Sequence, residues 1–132
     1  MSQEGALHRA GLWLRQAEDD LRAARLLQGG GQAAQACFLA QQVGEKAIKA
    51  LLAADDRDLR SHSLGALLRE LGEEPTQRWQ RQARVLDKLY APTRYPDALG
   101  DELPADVFGP EDAERALEAA SALLAWAEEE LG

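Results

Sequence analysis

Residues 40–52 read Ala-Gln-Gln-Val-Gly-Glu-Lys-Ala-Ile-Lys-Ala-Leu-Leu, and this stretch decides the fold. It lies within residues 32–54, where apolar and small residues recur every three or four positions, as they do along one face of an α-helix. That face consists of Cys37, Ala40, Gly44, Ala47, Ile48 and Leu51. Because most of these side chains are small, the pattern predicts a helix that lets a neighbouring helix approach closely. Gln41 and Gln42 interrupt the face.

The segments on either side have the same helical periodicity. Residues 6–28 predict a first helix, which three consecutive glycines at 29–31 end. A short third helix ends near residue 72, with Ser61 or Ser63 as its cap, and a fourth covers residues 75–91. Residues 98–109 read as irregular, and a last helix begins at Gly109-Pro110. Strand signals are absent. The sequence therefore predicts an all-α fold, one domain over residues 1–132 that forms an antiparallel up-and-down bundle of four to five helices.

Composition narrows the possible functions. The 132 residues carry a net charge of −8, which argues against non-specific coating of nucleic acid. The single cysteine, Cys37, leaves no intrachain disulfide and no zinc cluster, and we expect it to be buried in the core. No apolar run approaches the roughly 20 residues that cross a bilayer, and the first 30 residues carry acids instead of a signal peptide. We expect a cytoplasmic protein with no membrane partner.

Positive charge is concentrated in one region. Residues 75–97 carry a surplus of three positive charges, although the chain as a whole is acidic. At 100° per residue, the apolar residues of the fourth helix fall within one arc of roughly 120°, and this arc includes Trp79 and Tyr90. Arg81, Arg84 and Lys88 lie on the opposite side. We call these three residues the basic ridge and expect it to face away from the core.

The stretch Tyr90-Ala-Pro-Thr-Arg-Tyr-Pro-Asp97 is the most unusual segment of the chain. Its two prolines predict a stiff extended turn. The candidate ligand-binding residues of this turn are Tyr90, Thr93, Arg94, Tyr95 and Asp97. Arg94 is suited to hold a phosphate through two parallel hydrogen bonds, and either tyrosine is suited to stack on a base. An equally weighted alternative is that Arg94 forms a salt bridge to Asp97 or Asp87 and only closes the loop.

Three segments, in this order, carry a resemblance to a known family: residues 40–52, then His62-Ser-Leu64, then Leu86-Asp-Lys-Leu-Tyr followed by the loop just described. Together with Ala17-Glu-Asp-Asp-Leu21, they resemble the HEPN domain family. The resemblance implies a four- or five-helix bundle and frequent homodimerisation. It also implies pairing with a minimal nucleotidyltransferase in toxin–antitoxin arrangements. Many relatives are ribonuclease toxins, and others are nucleotide-binding proteins or accessory subunits.

The chain departs from the ribonuclease members of the family, in which a histidine follows an arginine by four to six residues near the start of a late helix. The only such spacing here joins Arg57 to His62, in the connector before the third helix, and no histidine follows Arg94. Metal-independent RNA cleavage needs a proton-transfer group and a cation, and His62 is the one catalytic candidate. A histidine between two serines at a helix start is more often a capping or packing residue.

We therefore expect a HEPN protein that binds a nucleotide or an RNA phosphate near Arg94 and that partners a minimal nucleotidyltransferase as a homodimer. Because the ribonuclease motif is missing from its usual place, a non-enzymatic role is favoured. The alternative is a metal-independent ribonuclease toxin that uses His62. A third possibility is a structural partner subunit without a ligand. The runs of acidic residues read as solvated helix faces and caps, so the sequence assigns no metal and no cofactor.

Overall fold

A computed structural model describes residues 2–132, and Met1 of the predicted domain lies outside the described residues. The helices are α1 Gln3–Gly29, α2 Ala33–Ala54, α3 Leu64–Leu71, α4 Glu73–Asp87, α5 Pro104–Val107 and α6 Pro110–Leu131, with a 3₁₀ helix at Pro96–Leu99. Residues 2–132 contain no strand. The prediction of an all-α bundle is confirmed, with four long helices and two short ones.

Helix α2 lies at the centre of the bundle. Its most extensive contacts are with α1 and α6, and it also contacts α3, α4 and α5. A Cβ atom added to Gly44 would lie 2.6 Å from Leu86 Cδ1 and 2.7 Å from Leu64 Cδ2. Both leucines are fully buried. The predicted close approach is therefore found at Gly44, where α3 and α4 close over α2.

Asp87, the last residue of α4, holds the start of α3. Its carboxylate accepts hydrogen bonds from the backbone N–H groups of Leu64 at 2.7 Å and Gly65 at 3.1 Å. The hydroxyl of Ser63 caps the same helix by accepting from the Ala66 N–H at 3.1 Å, as one of the two predicted caps. These bonds satisfy amides that a helix start leaves unpaired. They also fix the connector that carries His62 beside the end of α4.

The structure corrects the prediction for residues 75–91, because α4 ends at Asp87. It also corrects the extended conformation predicted for the loop that follows. Residues 88–94 form successive hydrogen-bonded turns, in which the N–H of Tyr95 donates to the carbonyl of Ala91. Pro92 has no N–H to continue a helix, and the Leu89 carbonyl accepts hydrogen bonds from both the N–H and the hydroxyl of Thr93. Helix α5 likewise interrupts the segment predicted to be irregular, with Pro104 in its first turn.

The orientation predicted for α4 is confirmed by burial. Ala83 and Leu86 are buried against the core. All three residues of the basic ridge are exposed.

In the part of the chain that the structure describes, no helix combines the length and the apolar character needed to span a membrane.

Candidate functional site

Tyr90, in the turn after α4, is contacted by two residues from different parts of the chain. The ring of His62 stacks on it with centroids 4.7 Å apart and an angle of 19° between the planes. The guanidinium carbon of Arg94 lies 4.5 Å from the centroid of the Tyr90 ring. Arg94 Nη1 also donates a hydrogen bond of 3.0 Å to the Tyr90 hydroxyl. One aromatic side chain thus links the candidate proton-transfer group to the candidate phosphate-binding cation.

Two residues of α2 complete this arrangement. The guanidinium carbon of Arg94 lies 4.6 Å from the centroid of the Phe38 ring. Glu45 lies against His62, with Oε1 at 3.2 Å from His62 Nδ1. We call Phe38, Glu45, His62, Tyr90 and Arg94 the Tyr90 cluster.

Arg94 has no carboxylate partner within 4.0 Å among residues 2–132. The alternative salt bridge to Asp97 or Asp87 is therefore not formed, and the Asp87 carboxylate is bound to α3. Aromatic rings attract the face of a guanidinium, and among the described residues the one hydrogen bond that its edge makes is from Nη1 to the Tyr90 hydroxyl. The two rings position the cation and leave its charge in place.

The Glu45 side chain is only 5% exposed, whereas that of His62 is 57% exposed. Lys49 Nζ donates to Glu45 Oε2 at 2.9 Å. Gln41 Nε2 donates to Glu45 Oε1 at 3.3 Å and to the backbone carbonyl of His62 at 3.2 Å. Burial raises the pKa of Glu45, but the hydrogen bonds with Lys49, Gln41 and His62 and the Lys49 charge together bring that pKa below its ordinary value. Glu45 is therefore an ionised carboxylate at neutral pH.

Sequence reasoning missed Glu45 and Phe38. Gln41, Glu45 and Lys49 recur at four-residue intervals, so they share one face of α2 and contact each other. Glu45 and Gln41 are both buried on a helix whose other buried residues are small or apolar. The sequence offers one signal for them: Gln41 and Gln42 interrupt the apolar face of α2, and buried polar side chains need hydrogen-bond partners from elsewhere in the fold.

Arg94 also lines a cleft of about 340 Å³. We call it the Arg94 cleft. Its walls are residues 31–35 at the start of α2, Thr93 and Arg94, and four residues of the α5 region, namely Leu103, Pro104, Ala105 and Phe108. The cleft is therefore apolar on the α5 side and cationic on the Arg94 side.

The other predicted ligand-binding residues lie around this site without joining the Tyr90 cluster. Thr93 is buried, and its hydroxyl is bonded to the Leu89 carbonyl. Tyr95 is 48% exposed and Asp97 is exposed. The basic ridge lies along the solvent side of α4. Ligand binding by any of these residues stays a prediction.

The arginine and histidine that match the family spacing do not act together. Arg57 donates both to the backbone carbonyl and to the carboxylate of Glu70. Its guanidinium therefore fastens the connector to α3, while His62 pairs with Glu45 and Tyr90. The spacing match is therefore uninformative, as expected, and the arginine that shares Tyr90 with His62 is Arg94.

Metal binding and thiol chemistry find no support in residues 2–132. No group of three or more His, Cys, Asp and Glu side chains is arranged there to hold a metal ion. Burial, with a smaller contribution from the negative charge of Asp112, raises the pKa of the Cys37 thiol to about 11. The thiol is therefore neutral at physiological pH and is not an activated nucleophile.

Comparison with known families places residues 10–131 on the HEPN domain. The chain belongs to the HEPN domain family. Its fold is that of solved HEPN structures. An archaeal HEPN homologue is 36% identical with a TM-score of 0.80, and the match covers 93% of this chain and 98% of that one.

Two bacterial structures are similar to this HEPN chain. A protein of Thermus thermophilus is 42% identical with a TM-score of 0.86, covering 92% of this chain and 97% of that one. An HEPN domain protein of Thermotoga maritima is 28% identical with a TM-score of 0.71, covering 90% of this chain and 96% of that one. A comparison with curated proteins gave no match.

Proposed function

We propose that this HEPN protein binds a nucleotide or an RNA phosphate at Arg94 and acts as the partner of a minimal nucleotidyltransferase. One observation carries the binding proposal. The Arg94 guanidinium is positioned by Phe38 and Tyr90 at the wall of a cleft, and it has no carboxylate partner among the described residues.

The chemistry of this arrangement suits an anion with a planar group attached. A guanidinium presents a rigid fork of N–H donors that matches the oxygens of a phosphate. The Arg94 cleft has a volume at the low end of the range for small-molecule sites, roughly 300 to 1,000 Å³. Leu103, Pro104 and Phe108 supply an apolar wall for a base or a sugar.

The pairing with a nucleotidyltransferase is supported by membership of the HEPN family and by the basic ridge. On an acidic chain, this ridge is a surface able to attract either phosphates or an acidic partner. The proposal places both proteins in the cytoplasm, as a toxin–antitoxin-like pair. We expect Arg81→Glu combined with Arg84→Glu to weaken binding of RNA, nucleotide or nucleotidyltransferase without unfolding the protein. Unchanged affinity for all three would make the ridge an ordinary solvated face.

Calorimetric titration with ATP, AMP and a short labelled RNA tests the binding site. Arg94→Lys keeps the charge but removes the fork, and hydrogen bonds to charged groups are worth about 1.5–3 kcal/mol, so we expect affinity to fall at least about tenfold. Arg25→Lys is the matched control, because Arg25 of α1 bonds to Ser121 of α6 and does not line the Arg94 cleft. Equal affinity in the Arg94 variant and the control would contradict the site. Absence of any binding would favour a structural subunit without a ligand.

A second candidate function, metal-independent RNA cleavage, is favoured by the position of His62. His62 and Arg94 both contact Tyr90. In this reaction His62 takes the proton of the 2′-hydroxyl, the O2′–P bond forms, the P–O5′ bond breaks, and the leaving O5′ takes a proton from water. Arg94 would stabilise the charged phosphorane.

The two candidates differ in what His62→Ala does to purified protein mixed with labelled RNA. Under the binding proposal the wild-type protein cleaves RNA slightly or not at all, because the family's arginine and histidine motif is absent from its usual place. Under the ribonuclease candidate the wild type cleaves, and His62→Ala lowers the rate by about 10²- to 10⁴-fold while the circular dichroism spectrum persists. Cleavage that survives His62→Ala unchanged would contradict the catalytic role of His62.

A further inference from the structure

His62 is held by a carboxylate on one edge of its ring and is open on the other. Its Nδ1 faces the buried Oε1 of Glu45 at 3.2 Å. The side chain as a whole is 57% exposed, and its Nε2 has no hydrogen-bond partner in residues 2–132. A neutral imidazole carries its proton on one nitrogen only, and the hydrogen bond made by one nitrogen decides the state of the other.

We propose that Glu45 is a positioning residue that fixes neutral His62 as its Nδ1–H tautomer and so leaves Nε2 as a proton acceptor facing solvent. An ionised carboxylate only accepts hydrogen bonds, so a histidine nitrogen bonded to it must donate. The proposal that Nε2 takes a proton from RNA rests on the ribonuclease candidate, whereas the proposed tautomer of His62 does not depend on it.

The surroundings of Glu45 keep its carboxylate in this role. Lys49 donates to Oε2, while Gln41 and His62 both approach Oε1. Lys49 is itself held near α1, with its Nζ 5.4 Å from the centroid of the Trp13 ring. Lys49, Gln41 and His62 all donate hydrogen bonds to the carboxylate. If Glu45 were protonated or replaced by an amide, its own O–H or N–H group would face one of these donors.

The stack on Tyr90 fixes the plane of the imidazole. The His62 and Tyr90 ring centroids are 4.7 Å apart, and the ring planes are 19° from parallel. Rotation of His62 about its side-chain bonds would therefore break the stacking as well as the hydrogen bond to Glu45. Two independent contacts therefore define the direction of Nε2. Holding a proton-transfer group in one tautomer and one orientation is the role of the carboxylate in a Ser-His-Asp triad, where its loss costs about 10⁴-fold in rate.

The tautomer is measured directly by long-range ¹H–¹⁵N correlation spectra of ¹⁵N-histidine-labelled protein, at a pH where the imidazole is neutral. His62 is assigned by its absence from the spectrum of His62→Ala, with His8 as the internal reference. For the wild type we expect Nδ1 to carry the proton and Nε2 to be bare. A wild-type spectrum of the Nε2–H form overturns the inference without any variant.

Glu45→Gln gives the second measurement. We expect Lys49 to hold the oxygen of the introduced amide, so that the amide N–H₂ turns to His62 and Nδ1 must accept. The Nδ1–H form should then fall from nearly all of neutral His62 to less than half. Asp20→Asn is the matched control, because Asp20 is a buried carboxylate of the same α1 and α2 layer, paired with Lys46 at 2.5 Å, and does not contact His62. A wild-type tautomer that persists in Glu45→Gln overturns the inference.

The same variants separate this inference from the proposed function. If RNA is cleaved, Glu45→Gln should lower kcat by about 10²- to 10⁴-fold with little change in KM, whereas Asp20→Asn should change neither. If RNA is not cleaved but the wild-type tautomer is Nδ1–H and shifts in Glu45→Gln, the positioning role stands and the ribonuclease candidate fails.

Discussion

The Glu45 carboxylate makes the stability of the protein depend on pH. Its folded-state pKa is lowered, so it contributes stability that is present above the unfolded value, near 4.5, and lost as the pH falls through the folded value. Lys49, Gln41 and His62 are the groups that face it. We predict that wild-type unfolding free energy falls with acidification below about pH 4.5 more steeply than that of Glu45→Gln. Urea unfolding at several pH values measures both slopes.

Glu128 is the opposite case and serves as the control. A hydrogen bond with Glu18 is the main cause of its raised pKa, followed by burial and by repulsion from Glu18. A raised carboxyl pKa contributes stability at low pH that is lost as the pH rises through the folded value. As the pH rises from acidic to neutral, the unfolding free energy of Glu128→Gln should therefore fall less than that of the wild type. Parallel pH profiles for the two glutamine variants would contradict the assignment of opposite shifts.

Gly44 is the residue on which the close packing of three helices depends. A Cβ there would meet the methyl groups of Leu64 and Leu86 at under 3.0 Å, and because both leucines are fully buried, any shift of these methyl groups must be taken up by the surrounding core. We predict that Gly44→Ala lowers the unfolding free energy by about 1–3 kcal/mol, as overpacking does. Gly29→Ala, with nothing within 4 Å of its Cβ, should stabilise α1 by up to about 1 kcal/mol. Denaturant unfolding measures both, and an unchanged midpoint for Gly44→Ala would contradict the packing.

At this scale, sequence predicted the residues whose chemistry is visible locally. Arg94 stands out because it lies between two prolines beside two tyrosines. Glu45 was missed because its role depends on a histidine that the fold brings from another segment. Periodicity marks which face of α2 is buried, but it does not say which buried polar residue will find a partner.

Among the helices, the junction between α4 and α3 positions the site. Asp87 ends α4 and caps α3, and the connector between α2 and α3 ends at that cap. We predict that Asp87→Ala costs about 1–2 kcal/mol of stability, because two amides at a helix start lose their acceptor. Hydrogen exchange should show lost protection at the amides of Leu64 and Gly65.

Asp101→Ala is the control for this prediction, because Asp101 is exposed and its carboxylate has no hydrogen bond within residues 2–132. It should leave both the stability and the exchange rates unchanged. Asp87→Ala should also broaden or shift the His62 ring signals, since the connector would no longer be fixed beside Tyr90. Intact protection at Leu64 and Gly65 in Asp87→Ala would mean that Ser63 alone caps the helix.

The end of α4 shows where helix prediction fails. Leu89 and Tyr90 continue the apolar arc of α4, so periodicity extended the helix to residue 91. Tight turns keep those side chains near the same face while the backbone leaves the helix. Periodicity records which side of an element is buried, and a helix and a series of turns bury nearly the same side over a few residues.

For the molecule as a whole, the bundle was predictable from the sequence, but the way in which the residues of the Tyr90 cluster come together was not. Helical stripes separated by glycines and prolines specify a bundle whichever long-range contacts it makes. The Tyr90 cluster combines α2, the connector at residue 62 and the turn at residues 90–94. Their meeting follows from how α3 and α4 fold over Gly44, which no local pattern contains.

The expected homodimer needs a new interface, because the small-residue face of α2 is buried within the chain. The exposed leucines of α1 now carry that prediction. Leu12 is 50% exposed and Leu26 is 78% exposed. They are about 40° apart around the helix and about 21 Å apart along it, so they share one side of α1. A second copy that covers this side of α1 would bury both leucines.

We predict a solution mass of twice 14.4 kDa at micromolar concentration, measured by light scattering. Leu12→Lys combined with Leu26→Lys should give the monomer mass with unchanged circular dichroism, because two charges would lose their hydration in the interface. Leu7→Lys is the matched control: Leu7 is 51% exposed on another side of the same helix, and the change should leave the dimer intact. A monomeric wild type would rule out the dimer. Dissociation by Leu7→Lys alone would instead move the interface to the side of α1 that carries Leu7.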